Sequence, residues 1–331
     1  MKAIVFSKSM NPDDNESLEL IDAPKPNAAG RDILVKVEAI SINPVDYKVR
    51  QGGSLAGGDY RILGWDAAGI VEAVGEQVSL FKPGDQVFYA GDITRAGSNA
   101  EFQLVDERLV ATKPTSLNFA EAAAIPLTAI TAWELLFDRL RVNTEANKKL
   151  LVVGGAGGVG SILIQIVKAL TNLEIIATAS REESIHWVKS LGADRVINHH
   201  QSFVDQLGTN SVDYAVSLTN SSHHLPGLAE VIKPQGQLGV IDNAAVMNVT
   251  PFQNKSISFH WELMFTRSLF QTEDMQEQHN LLTHVAELID AGKIKTTMTQ
   301  HLGKINPENI MRGHQIAKAG TAIGKMVLEG F

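Results

Sequence analysis

The stretch Lys149-Leu150-Leu151-Val152-Val153-Gly154-Gly155-Ala156-Gly157-Gly158-Val159-Gly160 decides the fold of this chain. Its first five residues make an apolar run of strand length, and the spacing beyond the glycines predicts a helix over residues 159–170. Between the two, Gly155, Gly157 and Gly160 complete the pattern G-x-G-x-x-G. Glycine-rich turns are common, so the pattern alone says little. A strand immediately before it, a helix immediately after it and a βαβ unit of about thirty residues around it supply the context a dinucleotide site needs. In such a site Gly155 permits the tight turn, Gly157 lets the backbone approach a pyrophosphate, and Gly160 lets helix and strand pack closely. Gly158 and Val159 count with these glycines as cofactor contacts, and the N-terminus of the following helix offers unpaired N–H groups and a positive dipole end to phosphate. The plainer alternative is a structural strand-to-helix turn that binds nothing.

The same stretch raises a membrane question, because residues 150–167 carry no charge and are long enough to span a bilayer. Five glycines lie between Gly154 and Gly160, and Ser161 and Gln165 interrupt the apolar run beyond them. That pattern suits a buried strand, a turn and a core helix. The opening Met-Lys-Ala-Ile-Val-Phe-Ser has no signal-peptide architecture. The expectation is a soluble, cytoplasmic protein with no membrane partner.

Downstream of the glycines, strands and helices alternate. Strands are predicted over 174–179, 195–198, 213–217 and 237–241, and helices over 182–191 and 225–232. This alternation implies a doubly wound parallel sheet, an α/β fold, covered on both faces. After about Pro251 it stops, leaving an amphipathic helix over 279–291 and a closing segment over 324–329. Upstream, strand patterns over 2–6 and 33–40 stand among turns at Pro24, Pro26, the 52–58 glycine loop and Lys82-Pro83-Gly84-Asp85. Asn118 with Glu121 three residues on suits a helix N-cap, and helical spacing then runs to about Phe137 across Pro126. The expected domains are a β-rich one over 1–120, completed by 260–331, and a dinucleotide-binding one over 121–259.

Composition removes several classes of function. With 331 residues and 44% hydrophobic side chains the chain can bury two cores. It has 37 acidic against 29 basic side chains, a net charge of −8, which argues against a nucleic-acid partner. It has no cysteine, which excludes disulfides, a thiolate nucleophile and every zinc site built on sulfur. The ten histidines do not replace that loss. His199-His200 and His223-His224 are adjacent pairs that do not project to one point on regular structure, and His279 and His284 are five apart. Loop or exposed histidines are the expected reading, and no metal site is expected.

Further motifs stand in order along the chain: Ser41-Ile42-Asn43-Pro44-Val45-Asp46-Tyr47, Gly64-Trp65-Asp66-Ala67-Ala68-Gly69, Val74-Gly75, Phe81-Lys82-Pro83-Gly84-Asp85-Gln86-Val87, then residues 125–133, the glycine fingerprint and Gly324-Lys325-Met326-Val327-Leu328. With them the whole chain resembles a medium-chain dehydrogenase/reductase, in the zinc-independent quinone oxidoreductase (zeta-crystallin-like) branch. The resemblance implies a GroES-like substrate domain made from both chain ends, with a Rossmann domain between. Metal-dependent relatives carry Cys at position 43 and Gly-His-Glu at 64–66, where this chain has Asn43 and Gly64-Trp65-Asp66. Relatives of that kind lend the label zinc-type, which these residues do not support.

Without a metal to stabilise an alkoxide, the easier chemistry is hydride delivery to a quinone or an α,β-unsaturated carbonyl. Such an acceptor spreads the incoming charge into an enolate-like oxygen, which hydrogen-bond donors stabilise before one proton completes reduction. Asn43 as amide donor, Tyr47 as phenol donor and proton source, and Asp46 as orienter are the candidates for catalysis. A turn at Asn-Pro, a cap by Asp46 and a packed Tyr47 are the plainer reading. The resemblance also implies cofactor contacts from Thr131, from Ile241 and Asp242 at a strand end, and from Lys325. Twenty residues past Gly160 stand Ser180 and Arg181, where NAD-preferring folds carry an Asp or Glu. A hydroxyl and a guanidinium there suit a 2′-phosphate, so NADPH is the expected cofactor. The rival expectations are a nicotinamide-binding sensor or structural protein with little turnover, and a zinc-dependent alcohol dehydrogenase. The resemblance further implies a homodimer paired through sheet edges; light scattering that shows only a monomer would remove it.

Overall fold

The structure is a computed structural model that describes residues 1–7, 18–52, 58–242 and 246–331. Most of the 52–58 glycine loop lies outside the described residues. Two compact units emerge, Met1–Leu127 with Phe265–Phe331, and Thr128–Met264.

In chain order the first unit contributes β1 (Lys2–Ser7), β2 (Glu19–Asp22), β3 (Asp32–Ser41), α1 (Pro44–Gln51), β4 (Tyr60–Ile62), β5 (Asp66–Val74), β6 (Gln86–Tyr89), β7 (Phe102–Asp106), β8 (Val110–Thr112) and α2 (Phe119–Ala123). Helix α3 (Pro126–Trp133) carries the chain onward. The second unit holds β9 (Lys149–Val153), α4 (Gly158–Leu170), β10 (Glu174–Thr178), α5 (Glu182–Ser190), β11 (Arg195–Ile197), α6 (Phe203–Leu207), β12 (Val212–Ser217), α7 (Ser221–Val231), β13 (Ile232–Val240) and β14 (Ser258–Trp261). The chain then returns to the first unit with α8 (Thr266–Phe270), α9 (Glu277–Asp290), β15 (Met298–His301), α10 (Pro307–Ala319) and β16 (Lys325–Glu329).

The second unit is a six-stranded sheet in the order β11-β10-β9-β12-β13-β14, with every pairing parallel. Numbered from β9, that order is 3-2-1-4-5-6, the Rossmann arrangement, and its direction reverses between β9 and β12. Leu150 to Val153 are all buried, as a strand covered on both faces requires. Leu151, Val153, Ala215, Leu238 and Val240 form one core with Leu225 and Leu228 of α7.

The first unit is β-rich and antiparallel apart from one pairing. A seven-stranded sheet runs β15-β16-β3-β5-β6-β8, with β7 also on β3, and β15 and β16 are parallel. A three-stranded sheet β2-β1-β4 packs around Ala3, Val5, Ala23, Ile62 and Ala100. Both chain ends thus build this unit, with Val327, Leu328 and Glu329 paired to Ser41, Ile40 and Ala39.

Three expectations need correction. The helix expected from Asn118 to about Phe137 is broken. Asn118 caps α2 by accepting from Glu121 N at 2.8 Å, but α2 ends before Pro126, which starts α3, and residues Glu134–Arg139 relax into a π-helical turn. This apolar Phe119–Arg139 run is long enough to cross a membrane, yet 83% of its apolar window is buried inside the protein. The alternation does not stop at Pro251, because β14 adds a sixth parallel strand on β13. A boundary at residue 259 would cut through β14, and the second unit runs on to Met264.

Candidate active site

The second unit carries the dinucleotide fingerprint at the carboxyl end of β9, beside the point where strand order reverses. The left-handed residue of the turn is Gly154, with φ +85°, one place before the pattern begins. Its N–H donates to Thr178 Oγ1 at 3.0 Å. Gly155 serves packing instead, since a Cβ there would lie 2.9 Å from the Ala177 Cβ. At Gly160 a Cβ would sit 2.4 Å from Gly154 O and 2.6 Å from Gly155 O, so helix α4 touches the turn through bare backbone. At Gly157 a Cβ would meet only Gly154 O at 3.5 Å, an ordinary contact. Gly157 is the N-cap of α4 and supplies no side-chain hydrogen bond to its free N–H groups. Gly158 and Val159 are its first helical residues. This is a cradle open to an anion.

Ser180 and Arg181 follow Ala179 just after β10, at the same carboxyl edge of the sheet. Arg181 is the N-cap of α5, with Ser184 Oγ accepting from its N–H at 3.1 Å. A pocket of about 270 Å³ beside them is lined by Ser180, Ile185, Lys189, Val196, Asn198 and Gln206. Thr131 lies buried in α3. Ile241 and Asp242 come after β13, which is not the last parallel strand, and the Asp242 carboxylate is committed locally, accepting from Ser221 N at 2.9 Å and from Ser221 Oγ at the start of α7.

The first unit gathers a buried polar cluster from three distant segments. Asp66, fully buried at the start of β5, accepts through Oδ2 from Ser41 Oγ at 2.6 Å, Asn43 Nδ2 at 2.7 Å and Lys325 Nζ at 3.0 Å. Its Oδ1 accepts from Leu127 N at 2.7 Å. Lys325, 3% exposed, also donates to Ile42 O at 3.0 Å and to Asn43 Oδ1. Asn43, expected to offer its amide to a substrate, is 1% exposed with both side-chain atoms turned into this cluster. It is also the N-cap of α1, where Pro44 takes the first helical position. Asp46 Oδ2 reaches back to accept from Asn43 N at 2.6 Å, while its Oδ1 is buried without a partner among the described residues. Burial pushes the Asp46 carboxyl up to about 7, against the pull of the Asn43 N–H and of Lys325.

One turn beyond Asn43, Tyr47 is half-buried, and its hydroxyl makes no hydrogen bond among the described residues. Partial burial raises its pKa and keeps it a phenol. Trp65 is fully buried, its Nε1 donating to Asp92 O at 3.2 Å. Asp66 and Ser41 were absent from the sequence-derived candidates. Their signal was available in the quoted motifs, a carboxylate at 66 and a hydroxyl two residues before Asn43.

The histidines depart from expectation. The two adjacent pairs converge, with ring centroids 4.2 Å apart for His199 and His200, 5.0 Å for His223 and His224, and 6.3 Å for His199 and His224. His224 is nearly buried and stacked on Phe203, and His314 is fully buried with neither ring nitrogen partnered among the described residues. Among the described residues no group of three or more His, Asp or Glu side chains could hold a metal ion. Zinc does not fit positions 43 and 64–66 either. Asn43 offers an amide already bonded on both atoms, Trp65 has no donor pair, and Asp66 is fully committed.

The chain matches the alcohol dehydrogenase GroES-like domain over residues 29–115 and the zinc-binding dehydrogenase family over residues 191–328. It is 40% identical over 334 residues to a zinc-type alcohol dehydrogenase-like protein of Staphylococcus aureus (strain COL), covering 99% of either chain. It is 32% identical over 307 residues to the 2-methylene-furan-3-one reductase of Solanum lycopersicum, covering 89% of this chain and 71% of that one. A solved structure from Rhizobium etli CFN 42, named for the zinc-dependent alcohol dehydrogenases, superposes with a TM-score of 0.95 at 50% identity, over 100% of this chain and 98% of that one. Identity sustained from end to end, across both domain types, makes this chain a member of the medium-chain dehydrogenase/reductase superfamily of oxidoreductases.

Proposed function

We propose that the protein is a soluble, cytoplasmic, NADPH-dependent oxidoreductase that reduces a quinone or an α,β-unsaturated carbonyl without a catalytic metal. The observation that carries this reading is the bare N-terminus of α4 behind the Gly154–Gly160 turn, at the reversal point of a 3-2-1-4-5-6 sheet. Gly157 and the α4 N–H groups would hold the pyrophosphate, and Ser180 and Arg181 the 2′-phosphate. When bound, NADPH supplies the hydride. The relative from Solanum lycopersicum, named for reduction of an enone, supports that acceptor class.

On the acceptor side, Tyr47 carries a phenol without a hydrogen-bond partner among the described residues, as a proton donor needs, held on α1 by the Asn43 cap. Asn43 and Asp46 then act on α1 and through it on Tyr47. NADPH consumption, followed by its own absorbance with a panel of quinones and enals, tests the reading. Turnover is expected with at least one acceptor, falling about 100-fold in kcat in Tyr47→Phe with KM little changed. NADPH binding without turnover on any acceptor would favour a nicotinamide-binding protein that is not an enzyme.

The cofactor choice has its own test. Arg181→Ala should raise KM for NADPH by about tenfold, the loss of one charge-assisted contact, and leave KM for NADH nearly unchanged. Equal losses for both cofactors, or a wild-type preference for NADH, would remove Ser180 and Arg181 as the discriminator.

A further inference from the structure

The cluster joining β3, α1, β5 and β16 does more than brace the first unit. We infer that the Lys325 ammonium is the resident cation of this site, seated between positions 43 and 66 where metal-dependent relatives carry Cys and Glu, and that it keeps divalent metal out.

Position is the first support. Nζ lies 3.0 Å from Asp66 Oδ2 and within hydrogen-bond distance of Asn43 Oδ1, so its charge rests between those two side chains. Gly324 brings it there. With φ +59° and a notional Cβ 2.4 Å from Thr297 O, residue 324 must be glycine for β16 to start against this part of the chain.

Valence is the second support. An ammonium has three N–H donors and no acceptor, and Nζ meets three acceptors in Ile42 O, Asn43 Oδ1 and Asp66 Oδ2. A neutral amine would turn its lone pair against one of them. Asn43 is oriented to match, its Nδ2 on Asp66 and its Oδ1 on the ammonium.

Exclusion rests on charge and donor type. A divalent ion brought between positions 43 and 66 would meet a fixed positive charge in a region where Lys325 is 3% and Asp66 0% exposed, with little water to screen the repulsion. The donors within reach are oxygens, without the imidazole or thiolate that zinc favours. This holds whatever the substrate of the enzyme.

The test uses the whole protein and Zn²⁺ alone. After equilibration with excess zinc and desalting, wild type should retain less than about 0.1 zinc per chain at this site, and its unfolding midpoint should not respond to a chelator. Lys325→Ala should unfold several degrees lower and recover most of that loss in about 100 mM methylammonium chloride, but not in tetramethylammonium chloride at equal ionic strength. Should that variant fail to fold, Lys325→Arg and Lys325→Met replace it, with arginine expected to be the more stable. Zinc held one per chain by wild type and lost in Asn43→Ala overturns the inference; zinc held equally by both lies elsewhere and supports it. A Lys325→Met protein as stable as wild type overturns it too.

Discussion

Gly160→Ala is expected to abolish dinucleotide binding and to destabilise the Thr128–Met264 unit, whereas Gly157→Ala is expected to lose binding alone. The two glycines lie three residues apart and differ in what surrounds them. An added Cβ at 160 would sit 2.4 Å and 2.6 Å from the carbonyl oxygens of Gly154 and Gly155, which are backbone and cannot swing aside. Helix α4 would have to lift off the turn, an overpacking that costs about 1–3 kcal/mol or more. Its N-terminus would then no longer face the proposed pyrophosphate position. At 157 the added Cβ meets only an ordinary 3.5 Å contact, so the fold should keep its unfolding midpoint. On the proposed function that methyl occupies the approach of the phosphate, and NADPH affinity should fall about 100-fold, near 3 kcal/mol. Thermal unfolding and NADPH titration of both variants separate the two effects. A Gly157→Ala protein that binds NADPH as wild type does would show that the pyrophosphate does not approach there.

Stability should decline between pH 6.5 and 8, and Asp46→Asn should remove the Asp46 share of the acid-linked loss, most of which falls between pH 4 and 7. Asp46 is fully buried and its carboxyl is pushed from an ordinary 3.8 to about 7. The folded chain therefore holds this proton more tightly than the unfolded chain, and stability contributed by the neutral acid is lost as pH rises from 3.8 to about 7. At about 1.4 kcal/mol per pH unit the loss amounts to about 4 kcal/mol. Glu262, pushed up by burial and by its hydrogen-bonded neighbour Glu134 despite the pull of Arg139, extends the decline upward. Buried histidines act with the opposite sign. His224 and His314 are pushed down to about 4 and about 3, so they lose stability as pH falls below 6.5. Between pH 4 and 6.5 the two tendencies oppose one another, and above 6.5 the acids act alone. Asp46→Asn keeps an oxygen to accept from Asn43 N and cannot ionise. It should match wild type near pH 4 and exceed it by up to about 4 kcal/mol at pH 8 in denaturant titrations. A wild-type midpoint that stays level from pH 6.5 to 8 would refute this account.

The fold was legible where residues that interact are close in the sequence. The glycine turn, the apolar β9 and the capped α2 announce themselves within a few residues, and the strand–helix alternation fixes the parallel sheet. β14 was missed because Ser258-Phe259-His260-Trp261 is short, has no flanking glycine and contains two polar residues, as an edge strand can. Pro226 lies inside α7, and that helix begins four residues before the expected 225. The candidate site was legible in part. Resemblance marks a position such as Asn43 or Lys325, but not the direction its side chain takes. Lys325 is 282 residues from Asn43 and 259 from Asp66, and no local pattern records that they meet. The histidine pairs failed for the same reason, since the end of β11 and the start of α7 come together only when the sheet is built.

The discontinuous first unit also sets an order of assembly. β15 and β16 are synthesised only after the whole of Thr128–Met264, a contiguous segment whose sheet can close by itself. Until they arrive, the edge of β3 that will receive Val327, Leu328 and Glu329 stands open, and Asp66 is without the counter-charge of Lys325. Closing contacts of such long range is slow, and an open strand edge in the meantime invites pairing with another chain. The first unit therefore cannot be completed before β15 and β16 are made. The residue that neutralises the buried charge belongs to the strand that seals the edge, so charge compensation and edge closure arrive as one late event on the folding path.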